Sequence, residues 1–134
     1  MTLKVNDIYS KRIQITEEIV NNFSEITGDK NPFHIDGEFA KNSIYKKRIA
    51  HGMLIGSLIS SVIGNDFPGK GTIYISQSLR FIKPVFFDEC ILITIEVIKV
   101  ELNNWIKLKT IVYNEENSVS IDGEAVICPP EIYF

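Results

Sequence analysis

An aspartate and a histidine stand five residues apart in the stretch Thr27-Gly28-Asp29-Lys30-Asn31-Pro32-Phe33-His34. Sixteen residues further on comes His51-Gly52-Met53, at the start of a long apolar run. Gly28 and Pro32 make the first stretch a rigid loop. A carboxylate and an imidazole on one such loop can hold a water between them and move its proton. A glycine opening a helix presents a backbone N–H with no intrahelical partner, at the positive end of the dipole. A proton-moving pair and a donor to a negatively charged oxygen are what a reaction through an enolate needs.

The residues themselves leave plainer readings open. Asp29 can serve as an Asx-type cap after Gly28, with no chemistry attached. Gly52 can be a glycine that lets helix and sheet pack closely. For His51, packing or capping is favoured over chemistry. Asn31 can fix the turn through its side chain, as Pro32 does through its ring.

The elements that must position these groups follow from pattern. Tyr9, Lys11, Ile13 and Ile15 alternate enough for a first strand over residues 8–15. Thr16 caps a helix with Glu17 and Glu18 in its first turn. Its apolar face is Ile19, Val20, Phe23 and Ile26, and Gly28 stops it. Residues 31–48 are polar and irregular, with about one helical turn over 36–41. From Gly52 to Ile63 apolar residues point in nearly every direction, so that helix is expected to be buried on most sides. After a loop at 65–71 come four strand candidates, 72–82, 91–101, 105–113 and 118–127. The short polar separators of the last three imply antiparallel hairpins. A curved antiparallel sheet around one buried helix is the hot-dog fold, α+β in class, and the chain reads as a single domain over 1–134. Such a sheet leaves edges that one protomer does not cover. Ile93, Ile95 and Val97 are expected on edge strands, and a homodimer is expected.

Composition narrows the classes. At 134 residues, 45% hydrophobic and 23% charged, the chain can build one ordinary core. Its net charge of -3 gives no reason to expect nucleic acid or an anionic membrane. The apolar run 53–63 is too short and too mixed to span a bilayer. Lys4, Asn6 and Asp7 break up any apolar region of a signal sequence. Cys90 and Cys128 are too far apart for a zinc site and read as free buried thiols in a reducing cytoplasm. No clustered metal-ligand set, nucleophile elbow or P-loop occurs. Tyr45-Lys46-Lys47-Arg48 reads as a solvated basic turn, with contact to phosphates of a large anionic ligand as the functional option.

These motifs resemble those of the MaoC-like, (R)-specific enoyl-CoA hydratases. Gly28-Asp29-Lys30-Asn31-Pro32-Phe33-His34 resembles the hydratase-2 motif. His51-Gly52-Met53-Leu54, Pro68-Gly69-Lys70-Gly71, residues 74–81 and Pro84-Val85 are similar to short bacterial members, over about residues 9–127. The resemblance implies syn addition of water to a trans-2-enoyl-CoA, giving a (3R)-3-hydroxyacyl-CoA. It implies that Asp29 and His34 activate the water and that the Gly52 N–H binds the thioester oxygen. Asn31 would support the loop, and Ser60 would line the acyl pocket. Ile63, Leu58, Phe39 and Ile127 are candidate pocket walls. The implied partner is an acyl-CoA thioester, with no separate cofactor and no metal, and the implied assembly is a homodimer. Competing readings are dehydration of hydroxyacyl chains on acyl carrier protein, acyl-CoA thioester hydrolysis, and a non-catalytic acyl-CoA-binding domain.

Overall fold

The computed structural model describes residues 2–130; residues 1 and 131–134 of the expected 1–134 domain lie outside the described part. The elements run β1 (Ile8–Gln14), α1 (Glu17–Thr27), α2 (Pro32–Ile35), α3 (Gly37–Lys41), α4 (Gly52–Asn65), β2 (Ile73–Gln77), β3 (Arg80–Phe81), β4 (Cys90–Val100), β5 (Ile106–Tyr113) and β6 (Val119–Cys128). All strand pairs are antiparallel, in the order β1-β4-β5-β6-β2, with β3 also on β6. This is the hot-dog arrangement of sheet and helix.

The local signals act as expected around α1. The Thr16 hydroxyl accepts from the Ile19 N–H at 3.1 Å, capping the helix. Gly28 ends it in the left-handed region at φ 76°, donating its N–H to the Ser24 carbonyl at 2.9 Å. Residues 31–48 are more ordered than their polarity suggests. Asn31 caps α2 through Phe33 N–H, and Asp36 caps α3 through Glu38 and Phe39 N–H. These side-chain caps add to the packing of Phe33 against Phe39 and Tyr45 and to the burial of Ala40.

Two expectations are corrected. Ile93, Ile95 and Val97 are not on an edge: β4 lies between β1 and β5, and all three are fully buried. They share a core with Leu54, Ile55, Ile59, Val62 and Ile63 of α4. The sheet edges are β1 and β2 instead, and β2 exposes Ile73 and Ile75. Nor is α4 buried on most sides of a single protomer. Its buried residues form one stripe, while Met53, Ser57, Ser60 and Ser61 are exposed. Cys128 is buried as expected, whereas Cys90 is only half-buried; both are free. Among the described residues no helix is long and apolar enough to cross a membrane.

Candidate active site

The chain after Gly28 is held by its own side chains. Asp29 N–H donates to the Thr27 hydroxyl at 3.2 Å, and Asn31 N–H donates to the Asp29 carboxylate at 3.3 Å. Pro32 then opens α2, which carries His34. The exposed carboxylate of Asp29 and the half-buried ring of His34 end up beside buried His51. Ligand-type atoms of the three all lie within 4.8 Å of one another. One water in hydrogen-bond contact with two groups spans about 4.5–5 Å between them. The Asp29–His34 pair is close enough for one water to contact both.

The His34 ring has a defined tautomer. Its Nδ1 lies 2.7 Å from the Ile49 carbonyl oxygen. A carbonyl only accepts, so Nδ1 carries the proton and Nε2 of the neutral ring is a free lone pair. Both Asp29 and His34 are then acceptors. A water that donates one hydrogen to each turns a lone pair outward, the orientation of a nucleophile.

His51 sits behind this pair. Its ring stacks on His34 with centroids 3.9 Å apart and planes 29° apart. Its Nε2 lies 3.1 Å from the Asp29 carbonyl and 3.0 Å from the Ser24 hydroxyl. Burial first, with the charges of His34 and Arg48 adding to it, lowers its pKa below the usual 6.5; the Asp29 carbonyl and carboxylate work the other way without reversing this. Asp29, His34 and His51 have the residue types of a metal site. However, a metal bonds an imidazole in the ring plane. Here the rings stack with planes 29° apart, and His34 Nδ1 and His51 Nε2 both face backbone carbonyl oxygens, so those two nitrogens carry hydrogens and offer no lone pair to a metal.

Gly52 follows directly as the first residue of α4. The His51 side chain makes no cap hydrogen bond, and Gly52 lines the adjoining pocket. That pocket encloses about 340 Å3 and is lined by Asp29, His34, Gly52, Met53, Phe81 and Val85, among others. A Cβ on Gly52 would stand 2.6 Å from two ring carbons of Phe81. The packing reading of Gly52 is thus real, and it coexists with a place at the pocket wall.

Arg48 departs most from expectation. Its side chain is turned inward instead of lying on a solvated basic turn. Nε donates to the His34 carbonyl at 2.6 Å, Nη1 to Glu17 at 2.7 Å and Nη2 to Asn21 at 2.6 Å, while the guanidinium lies over the Phe87 ring. Three of its five N–H donors are committed to the protein and its side chain is only 10% exposed, so it is poorly placed for a phosphate. Nothing in a run of three cations marks which one turns inward. The roles of Ser24 and Phe81 were likewise missed, since their partners are distant in sequence.

The expected binding residues fare unevenly. Asn31 caps α2 as the loop reading requires, and with Phe39 it lines a second hollow that shares His34, Tyr45 and Ile49 with the first. Ile63 and Ile127 are fully buried in the core, and Leu58 packs against that core. Ser60 is exposed on the outer side of α4. Ile63 and Ser60 do not line the pocket of this protomer. Ile63 belongs to the buried stripe of the helix, and Ser60 to the opposite one.

Comparison with known proteins matches residues 5–120 to the MaoC like domain. The chain is 37% identical over 122 residues to an (R)-specific enoyl-CoA hydratase of Aeromonas caviae, covering 90% of each. It is 34% identical over 134 residues to a mitochondrial 3-hydroxyacyl-[acyl-carrier-protein] dehydratase of Arabidopsis thaliana, covering 97% of this chain and 80% of the relative. Its fold superposes on the R-hydratase PhaJ1 of Pseudomonas aeruginosa with a TM-score of 0.92 at 38% identity, covering 96% of this chain and 83% of that one. The chain belongs to the MaoC-like domain family.

Proposed function

We propose that this chain is a hydro-lyase, an (R)-specific enoyl-CoA hydratase that adds water in the syn sense to trans-2-enoyl-CoA. The observation that carries the reading is the convergence of Asp29, His34 and the start of α4 at Gly52 on one pocket. The water donates to the Asp29 carboxylate and to His34 Nε2. Its oxygen bonds to C3 of the enoyl group as Asp29 takes one of its protons. The electron pair of the C2–C3 double bond moves to C2 and onto the thioester oxygen, where the Gly52 N–H and the dipole of α4 stabilise it. Asp29 then returns the proton to C2 on the same face, and one water has been added. No cofactor beyond the coenzyme A of the substrate is required.

A homodimer is part of this proposal. Its support is the outward stripe of α4, with Met53, Ser57 and Ser60, together with the exposed isoleucines of β2. Ser60 and Ile63 then contribute to the acyl site only if a second protomer or a repacked core brings them to it. A cytoplasmic location is also proposed, on the two free thiols. The likeness to the plant dehydratase favours a second reading, the same chemistry on an acyl carrier protein thioester.

The test is an assay with crotonyl-CoA and with a crotonyl carrier protein, with chiral analysis of the product. The expected product is (3R)-3-hydroxybutyryl-CoA. Asp29→Asn and His34→Ala should each lower kcat by about two orders of magnitude or more, with KM changed far less. Release of free coenzyme A without hydroxyacyl product would replace the reading by thioester hydrolysis. A strong preference for the carrier-bound thioester would select the second reading.

A further inference from the structure

His51 takes no part in the steps above, yet it is among the most buried side chains of the molecule, 2% exposed. Its Nε2 faces the Asp29 carbonyl oxygen, which only accepts, so Nε2 carries the hydrogen. The Ser24 hydroxyl shares it. In the neutral ring Nδ1 is then a lone pair, and that atom is buried without a partner. An orphaned buried acceptor is a cost that an apolar residue of similar size would avoid. Such a cost calls for a compensating use, and the neighbours supply one.

We propose that His51 is a positioning residue for the reaction. It ties the Asp29 backbone to α1 and provides the face against which the His34 ring is held. Both halves of the acid/base pair are set by this one side chain. Asp29 is gripped at its carbonyl, and His34 is backed across a 3.9 Å stack. Phe23 packs against the His51 ring at 4.9 Å, and Ser24 is buried beside it, so the support is itself fixed. With Nε2 committed and Nδ1 buried, His51 does not exchange a proton with the substrate. Without it, the Asp29 carbonyl loses its donor, and the His34 ring keeps its hydrogen bond to Ile49 while its backbone keeps those to Asn31 and Arg48.

The inference rests on the reading of Asp29 and His34 as the acid/base pair, and the experiment separates the two. Wild-type hydratase activity is measured first; its absence refutes the reading of the site and with it this inference. Given activity, His51→Leu fills the space without a donor, and His51→Gln places an amide N–H where Nε2 stands. His51→Leu should lower kcat about tenfold or more with KM nearly unchanged, because misplacement by a fraction of an ångström acts on the chemical step. His51→Gln should recover most of that loss. Equal loss in both variants, or none in His51→Leu, overturns the proposal. Should His51→Leu fail to fold, imidazole nitrogen NMR of the wild-type protein at pH 7 decides. The neutral Nε2–H tautomer of His51 supports the proposal, and the Nδ1–H tautomer or an imidazolium overturns it.

Discussion

Replacing Arg48 by alanine should destabilise the protein by about 3 kcal/mol. Two charge-assisted hydrogen bonds, to the His34 carbonyl and to Asn21, are worth roughly 1.5 kcal/mol each in a largely buried setting. The Glu17 pair adds less than about 1 kcal/mol, because that carboxylate is 57% exposed. The stack on Phe87 adds about 0.5–1 kcal/mol. Water entering the vacated space returns part of this. The net value is a large share of the roughly 5–15 kcal/mol that holds a typical domain together. Arg48→Lys is the sharper probe. A single ammonium cannot reach three acceptors that the guanidinium meets with three different nitrogens, so lysine should restore less than half of the loss. Urea unfolding followed by circular dichroism reads both variants, and steady-state kinetics should show a lower kcat, since the His34 backbone loses its donor. A loss under about 1 kcal/mol for Arg48→Ala, or wild-type stability for Arg48→Lys, would refute the reasoning. A raised KM with unchanged stability would return Arg48 to the role of a phosphate contact.

Two further outcomes are expected. Gly52→Val should cut kcat/KM by about two orders of magnitude, the usual cost of a spoiled oxyanion donor, while the exposed Phe81 ring swings aside and limits the loss of stability; if adding Phe81→Ala restores activity, the defect was packing and Gly52 is no oxyanion donor. Because His51 has a lowered pKa in the folded protein, the unfolded chain binds a proton below about pH 6.5 that the folded chain refuses, so stability is fully present above that value and declines as pH falls through and below it. Urea midpoints at pH 7.5 and 5.5 should show a smaller decline for His51→Gln than for the wild type, and equal declines would remove His51 from the acid sensitivity.

The parts of the fold legible in the sequence are those with local causes. Thr16 and Gly28 bracket α1 because a cap and a left-handed stop act within one turn of the chain. Asn31 and Asp36 organise the next segment for the same reason, although their effect exceeds the single turn that the sequence suggested. The alternation of Ile91, Ile93, Ile95 and Val97 correctly marks one buried face of β4. It says nothing of sheet order, and so a central strand reads like an edge. The outward stripe of α4 was hidden by its composition, since Met53 and the serines do not read as a polar face.

The same division runs through the site. Asp29 and His34 are recognisable because five residues of chain, with a glycine and a proline, fix their relation. What holds them there is not local. Arg48 reaches back to Glu17 and Asn21 on α1 while gripping the His34 carbonyl. His51 reaches back to Ser24 while gripping the Asp29 carbonyl. Each side chain clamps one member of the pair to the same helix, and both contacts fall on backbone carbonyls, leaving Oδ2 of the carboxylate and His34 Nε2 for the pocket. A loop this short and exposed would otherwise sample many arrangements, and catalysis by a shared water tolerates few. In the proposed reaction the spacing of Asp29 and His34 provides the acid/base pair, and α1, acting through Arg48 and His51, holds that pair in place.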